Sequence, residues 1–145
     1  MTTTREALSE YLVAQNVAKA GDGPDQWYGD NWFYGSIFGA KIPVAPKFGY
    51  RGGLAAHDCH HMLNGFPTDW AGECETAVWE LASGGCGRYV VYWFDRVFFL
   101  LLAPLVAPVR CFHAWRRGYG KKNLFRLDSK QLLAMNLDEV ENYIS

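Results

Sequence analysis

The sequence of this chain lacks the features that mark several large classes of protein. Its formal net charge is −1, and it contains no RNP, zinc-finger or helix-turn-helix pattern, so no nucleic-acid partner is expected. Its longest uncharged apolar stretch, residues 97–109, is shorter than the ~20 residues that a membrane-spanning helix needs. It also has no internal repeat and no low-complexity tract. These absences favour a globular chain.

Paired cysteines are missing as well. The four cysteines form no Cys-x-x-Cys motif, and a chain of 145 residues can bury a core without disulfides. The first 12 residues are too polar for a secretory signal and too acidic for a transit peptide. The sequence therefore predicts a single cytoplasmic domain over residues 1–145 with reduced, buried thiols at Cys59, Cys74, Cys86 and Cys111.

Apolar and aromatic residues are plentiful: half of the chain is hydrophobic, and 16% is aromatic. Capping signals and apolar spacing predict an all-α fold, a compact bundle of about six helices. We expect helices over residues 5–20, 54–63, 69–81 and 90–109, and two short ones capped by Asp128 and Asn136. Residues 21–53 break this pattern with glycine, proline and aromatic residues. They predict either an irregular segment packed on the core or a lid over an apolar ligand.

The apolar stretch of residues 97–109 is followed by a basic segment, residues 110–126. One interpretation is a buried helix, kinked or broken at Pro104 and Pro108, with a solvated basic end. The other is a surface that lies on a membrane and contacts its anionic headgroups. The sequence leaves both open.

Residues 54–84 carry the chemistry. On a helix, His57 and His61 lie about 40° apart, and Asp58 lies about 100° from His57, so the three side chains share one sector. Glu73 comes early in the next predicted helix, and an antiparallel helix pair can bring its carboxylate to the same point. Two imidazoles and carboxylates suit zinc, iron(II), manganese or cobalt(II). We therefore predict a site for one divalent metal at His57, Asp58, His61 and Glu73.

Two alternatives compete with this metal site. Histidines four residues apart on a helix are often incidental. A zinc protease would have glutamate where Asp58 stands, and the shorter aspartate is poorly placed to act as its general base. His60 is a further candidate ligand, which we expect to face outward or to pack.

The extended pattern from His57 resembles the metal-binding signature of the coenzyme Q biosynthesis family of the Coq-four type. It reads His-Asp-x-x-His-x-Leu-x-Gly-x-Pro-Thr-x-x-x-Gly-Glu, with eleven residues between His61 and Glu73. The Trp79–Leu81 stretch and the basic segment fit the family too, whereas residues 1–50 and the short length do not.

The resemblance implies an all-α metalloprotein, commonly a zinc protein, that acts on a prenylated aromatic intermediate of ubiquinone synthesis. The implied reaction replaces a ring carboxyl with a hydroxyl, with Glu73 and Asp58 as the candidate catalytic residues. Asp58 is either the fourth ligand or a group that orients a histidine. The implied partners are an isoprenoid or other lipidic small molecule, the inner face of a membrane and other biosynthetic enzymes; a homodimer is left open. The alternatives are a non-catalytic lipid-binding scaffold and a secondary-metabolism decarboxylase or cyclase.

Overall fold

The computed structural model of the chain describes residues 2–18, 32–37, 40–46 and 52–145. Within these residues the chain forms seven α-helices, one two-stranded hairpin and one short 3₁₀ helix. In chain order they are α1 (Thr4–Ala14), β1 (Trp32–Ile37), β2 (Ala40–Pro46), α2 (Leu54–Asn64), α3 (Trp70–Ala82), α4 (Val90–Val106), α5 (Pro108–Gly118), the 3₁₀ helix (Leu124–Arg126), α6 (Ser129–Ala134) and α7 (Leu137–Ile144).

The predicted helical fold is confirmed, since helices and their connections supply the buried core. The strands β1 and β2 pair antiparallel, with Ile37 opposite Ala40 and an irregularity between Phe33 and Tyr34. The sequence did not predict this hairpin. The rest of the aromatic segment predicted as a wall or lid lies outside the described residues.

Side-chain caps begin four of the seven described helices: α1, α3, α6 and α7. Thr3 and Glu6 form a reciprocal capping box at the start of α1, and Asn136 with Glu139 forms another at α7. Asp128 caps α6 by accepting from the backbone amides of Lys130 and Gln131. Each cap satisfies amides that the first helical turn leaves without partners.

The first helix is shorter than predicted. It ends at Ala14 rather than near residue 20, because Asn16 takes a left-handed backbone conformation with φ 58°. The amides of Val17 and Ala18 then turn back to the Leu12 carbonyl, at 2.9 and 3.2 Å. This hydrogen-bonded turn closes the end of the helix.

The core consists of two clusters. The first joins α1, α2, the 3₁₀ helix, α6 and α7 around residues such as Leu8, Cys59 and Leu124. The second lies among α3, α4 and α5 and includes Val78, Trp79 and Ala103. All four cysteines are buried as free thiols, as predicted.

The apolar stretch that follows residue 90 is not a buried helix. The chain breaks at Ala107, between α4 and α5, and Pro108 begins α5 at a position that needs no amide hydrogen bond. Only one side of α4 packs inward, through Tyr92, Arg96 and Ala103. The outer side and the start of α5 form what we call the apolar surface, whose side chains are 51 to 85% exposed: Phe94, Phe98, Leu101, Leu105, Val109 and Phe112.

None of the described helices is both long enough and apolar enough to pass through a membrane.

Candidate metal centre

Helices α2 and α3 bring three of the predicted ligands together. Donor atoms of His57, His61 and Glu73 all lie within 4.8 Å of one another. The Nε2 atom of His57 is 3.5 Å from Glu73 Oε2, and that of His61 is 3.4 Å from Glu73 Oε1. The imidazole rings stand edge to face, with centroids 4.7 Å apart. Two ring nitrogens and one carboxylate thus converge on one point.

The connection between α2 and α3 places Glu73. Gly65 ends α2 in a left-handed conformation with φ 67°, and Asp69 caps α3 through the Gly72 amide at 2.8 Å. A Cβ atom at Gly72 would lie 1.8 Å from the Pro67 carbonyl oxygen, so only glycine lets the connection fold this closely onto α3. This close approach sets the first turn of α3, and with it the position of Glu73.

The far sides of both imidazoles are held by hydrogen bonds. His61 Nδ1 lies 3.0 Å from the Pro67 carbonyl oxygen, and His57 Nδ1 lies 3.0 Å from Glu80 Oε1. Both of these oxygens only accept, so each Nδ1 donates to its partner and each Nε2 faces Glu73. Arg96 Nη1 also lies 3.2 Å from His57 Nδ1, but it donates to Glu80 Oε2 at 3.0 Å. Nε2 of His61 is buried and makes no hydrogen bond, which leaves a lone pair aimed at the centre. This arrangement fits a divalent cation.

The electrostatics also fit a cation. Burial raises the pKa of Glu73, but the imidazoles beside it outweigh burial and lower that pKa well below its usual range. Burial and the Arg96 guanidinium lower the pKa of His57, but the carboxylates of Glu80 and Glu73 outweigh them and raise it to about 10. Without a metal, His57 therefore holds a proton between two carboxylates. A bound metal would displace that proton and supply positive charge in its place.

Asp58, the fourth predicted ligand, is not in this group. It is half-buried. Burial of Tyr11 and Tyr92 raises the pKa of each tyrosine, and the negative charge of Asp58 raises both further. On α2 it is one residue from His57, about 100° around the helix, which is enough to direct it away from a point that His57 and His61 share. Its roles as ligand and catalytic residue stay predictions.

Two charged residues that sequence reasoning missed complete the site. Glu80 is fully buried; its Oε1 accepts from His57 and His60, and its Oε2 accepts from Arg96 Nη1 at 3.0 Å. Glu80 is two helical turns after Glu73, so the 3.6-residue period places both on one face of α3. The spacing of Glu73 and Glu80 could have been recognised in the sequence. No sequence pattern near Arg96 indicates that it packs against them.

His60 packs in the core, as expected, and is not a ligand. Its ring lies 4.9 Å from that of Trp79 and 5.2 Å from that of Phe125. Its Nδ1 donates to Glu80 at 2.7 Å, and its Nε2 accepts from the Leu124 amide at 2.9 Å. Both nitrogens are therefore engaged, and burial lowers the pKa of the ring.

The centre opens to solvent on the Glu73 side. The Glu73 side chain is 25% exposed, against 9% for His57 and 1% for His61. Beside it, the exposed Trp70 packs on Phe99 at a centroid distance of 5.9 Å. Arg96 lies 5.6 Å from the Phe99 ring and 3.9 Å from Glu73, so contacts run without a gap from the centre to the aromatic residues of α4.

An apolar groove of about 250 Å³ lies between α4 and α5. Leu100, Pro104, Phe112 and Trp115 are among its walls, and none of the three metal-site residues is. The groove is therefore separate from the metal centre.

No protein-family model, curated protein or solved structure matches this chain. The resemblance to the Coq-four type therefore rests on the motif residues alone. The metal centre rests on geometry: His57, His61 and Glu73 form a cluster that could hold a metal ion.

Proposed function

We propose that this chain is a metal-dependent enzyme that acts on a hydrophobic aromatic substrate at the surface of a membrane. The observation that carries the proposal is the convergence of His57, His61 and Glu73, with both Nε2 atoms turned toward the carboxylate. Among the described residues three protein donors converge, and the Glu73 side chain is 25% exposed. A metal held there would keep coordination positions for substrate or water.

A divalent metal bound at this centre would act as a Lewis acid toward a carboxylate or phenolate. Zinc is the first candidate, and the two-histidine, one-carboxylate set also suits iron(II), manganese and cobalt(II). The protein's part is to turn both Nε2 atoms toward the metal position, to anchor the Nδ1 protons on Pro67 and Glu80, and to shield one side of the centre from water. Trp70 and Phe99 offer an apolar approach to the other side.

The apolar surface supports a hydrophobic substrate and a peripheral membrane location. Six large side chains are exposed on α4 and the start of α5, more than a monomer in water usually leaves uncovered. Exposed cations lie close in sequence to this surface and can contact anionic headgroups: Arg110, Arg116, Arg117, Lys121 and Lys122.

The motif resemblance supplies the reaction: exchange of a ring carboxyl for a hydroxyl on a prenylated aromatic acid, as in ubiquinone synthesis. This exchange releases carbon dioxide and is a two-electron oxidation. With dioxygen as oxidant, the acid, dioxygen and water give the phenol, carbon dioxide and hydrogen peroxide. An assay therefore needs dioxygen and a redox-active metal, or a separate electron acceptor.

A lipid-binding scaffold is the second candidate. The observation that favours it is that the groove between α4 and α5 contains none of the metal-site residues, so a lipid can bind there without reaching the metal. In that case the metal stabilises the fold or fixes a polar headgroup.

Three proteins test the proposal: the wild type, His61→Ala and the matched control His113→Ala, which removes an exposed histidine of α5. Metal per chain is measured after purification without added metal, and product from a prenylated hydroxybenzoate is measured by mass spectrometry. We expect metal and turnover in the wild type and the control, and neither in His61→Ala. Equal metal in all three refutes the site, and a full metal complement without turnover supports the scaffold.

A further inference from the structure

Glu80 occupies an unusual position beside the metal centre. It has no exposed surface, and it lies on the opposite side of His57 from Glu73. One of its oxygens, Oε1, receives both His57 Nδ1 at 3.0 Å and His60 Nδ1 at 2.7 Å. The other, Oε2, receives Arg96 Nη1 at 3.0 Å. A single buried carboxylate thus joins helices α2, α3 and α4.

The roles of the three donors differ. Arg96 supplies the charge that lets Glu80 stay ionised without water, since an unpaired buried carboxylate is strongly destabilising. His60 cannot swing away, because its Nε2 is held by the Leu124 amide at 2.9 Å. Of the three donors, only His57 has a further nitrogen, Nε2, that faces Glu73 and can bind a metal.

From this arrangement we infer that Glu80 is the positioning residue of the metal centre: it fixes the ring of His57 and keeps the proton on Nδ1, so that Nε2 is the ligand atom. The inference deepens the proposed function and rests on its metal site. Carboxylates that accept from the far nitrogen of a metal-bound histidine set its tautomer, orient its ring and increase its basicity. Glu80 does not touch the metal position itself, so its effect acts through His57.

Cobalt(II) titration tests this role. The variant Glu80→Gln keeps the shape and one acceptor oxygen but loses the charge. We expect cobalt to bind it ~10–100-fold more weakly than the wild type, the usual effect of losing such a partner. The matched control is Thr4→Val, which loses a buried hydrogen bond of 2.9 Å to the Met135 carbonyl, away from the metal centre. The control should melt at a lower temperature and bind cobalt with wild-type affinity.

A second measurement needs no variant, so it holds even if Glu80→Gln does not fold. Nitrogen-15 NMR of the zinc-loaded wild type should show His57 protonated at Nδ1 and metal-bound at Nε2. Metal at Nδ1 would overturn the inference.

The remaining outcomes separate the two proposals. If the wild type binds cobalt and folded Glu80→Gln binds it equally well, the positioning role is wrong and the metal site stands. The same holds if Thr4→Val weakens binding as much as Glu80→Gln does. If the wild type binds neither cobalt nor zinc, the proposed function fails, and the positioning role with it.

Discussion

Replacing Gly72 with alanine should damage the metal centre although the side chain added is one methyl group. The new Cβ would lie 1.8 Å from the Pro67 carbonyl oxygen and 2.6 Å from its carbon. Carbon and oxygen atoms in ordinary contact are well over 3 Å apart. The α2–α3 connection and helix α3 must therefore move apart by roughly 1.5 Å. The oxygen and carbon of Pro67 are backbone atoms, so neither can rotate away from the added Cβ.

This displacement moves two parts of the site at once. Glu73 follows Gly72 directly, and the Pro67 carbonyl anchors His61 Nδ1. Overpacking of this kind costs about 1–3 kcal/mol, which should lower the melting temperature by roughly 3–12 °C for a chain of this size. Because a ligand and the anchor of another ligand shift together, we expect metal affinity to fall about tenfold or more.

Metal titration and thermal melting of the metal-free protein measure the two effects. Gly65→Ala is the control, because Gly65 has φ 67° and no atom lies within 4 Å of its added Cβ. It should lose about 1 kcal/mol to backbone strain and keep its metal affinity. A folded Gly72→Ala protein with wild-type melting temperature and affinity would refute the reasoning, since the connection would then have room that the structure does not show.

Three further predictions follow from the fold. A chelator should lower the melting temperature of the metal-loaded wild type, because a metal at a hundred times its Kd stabilises the folded state by about 2.7 kcal/mol. An unchanged melting temperature would count against a native metal site. The double variant Leu101→Asp, Leu105→Asp should no longer co-sediment with anionic liposomes at high salt. The double variant Arg116→Gln, Arg117→Gln should lose only binding at low salt. If the wild type binds no liposomes at all, the apolar surface is not a membrane contact. Burial raises the pKa of Cys111 to about 11 and that of Cys86 to about 12, so both thiols stay protonated at pH 8. Both should therefore resist alkylation until the protein unfolds. Rapid labelling of the folded chain would show that they are not buried.

Local rules in the sequence predicted the starts of six of the seven described helices, each to within one residue, and the three residues of the metal cluster. Capping patterns placed the starts of α6 and α7, and Gly65 marked the end of α2. The helical period put His57 and His61 on one face, because both residues lie on the same helix and their spacing decides their geometry. The same period placed Asp58 about 100° from His57, and the cluster of His57, His61 and Glu73 does not include it.

Contacts between distant segments could not be read in this way. Arg96 meets Glu80 across 16 residues and the His57 ring across 39, and only the packing of α4 against α3 and α2 creates those contacts. The exposure of α4 was ambiguous for the same reason. An all-apolar stretch fits a buried helix and a surface helix equally well until its neighbours are known.

The structure also explains why one helix serves two environments. On α4, Tyr92, Arg96 and Ala103 face inward, and Phe94, Phe98 and Leu101 face outward. Arg96 ends at Glu80 and beside Glu73, while Phe99, whose ring lies against Arg96, contacts Trp70 at the open side of the centre. The guanidinium that balances the buried carboxylates is therefore carried by the same helix that presents the apolar surface. A substrate that reaches the centre from a membrane along α4 would meet aromatic rings first and charged groups last, the order that an amphiphile with a polar head requires.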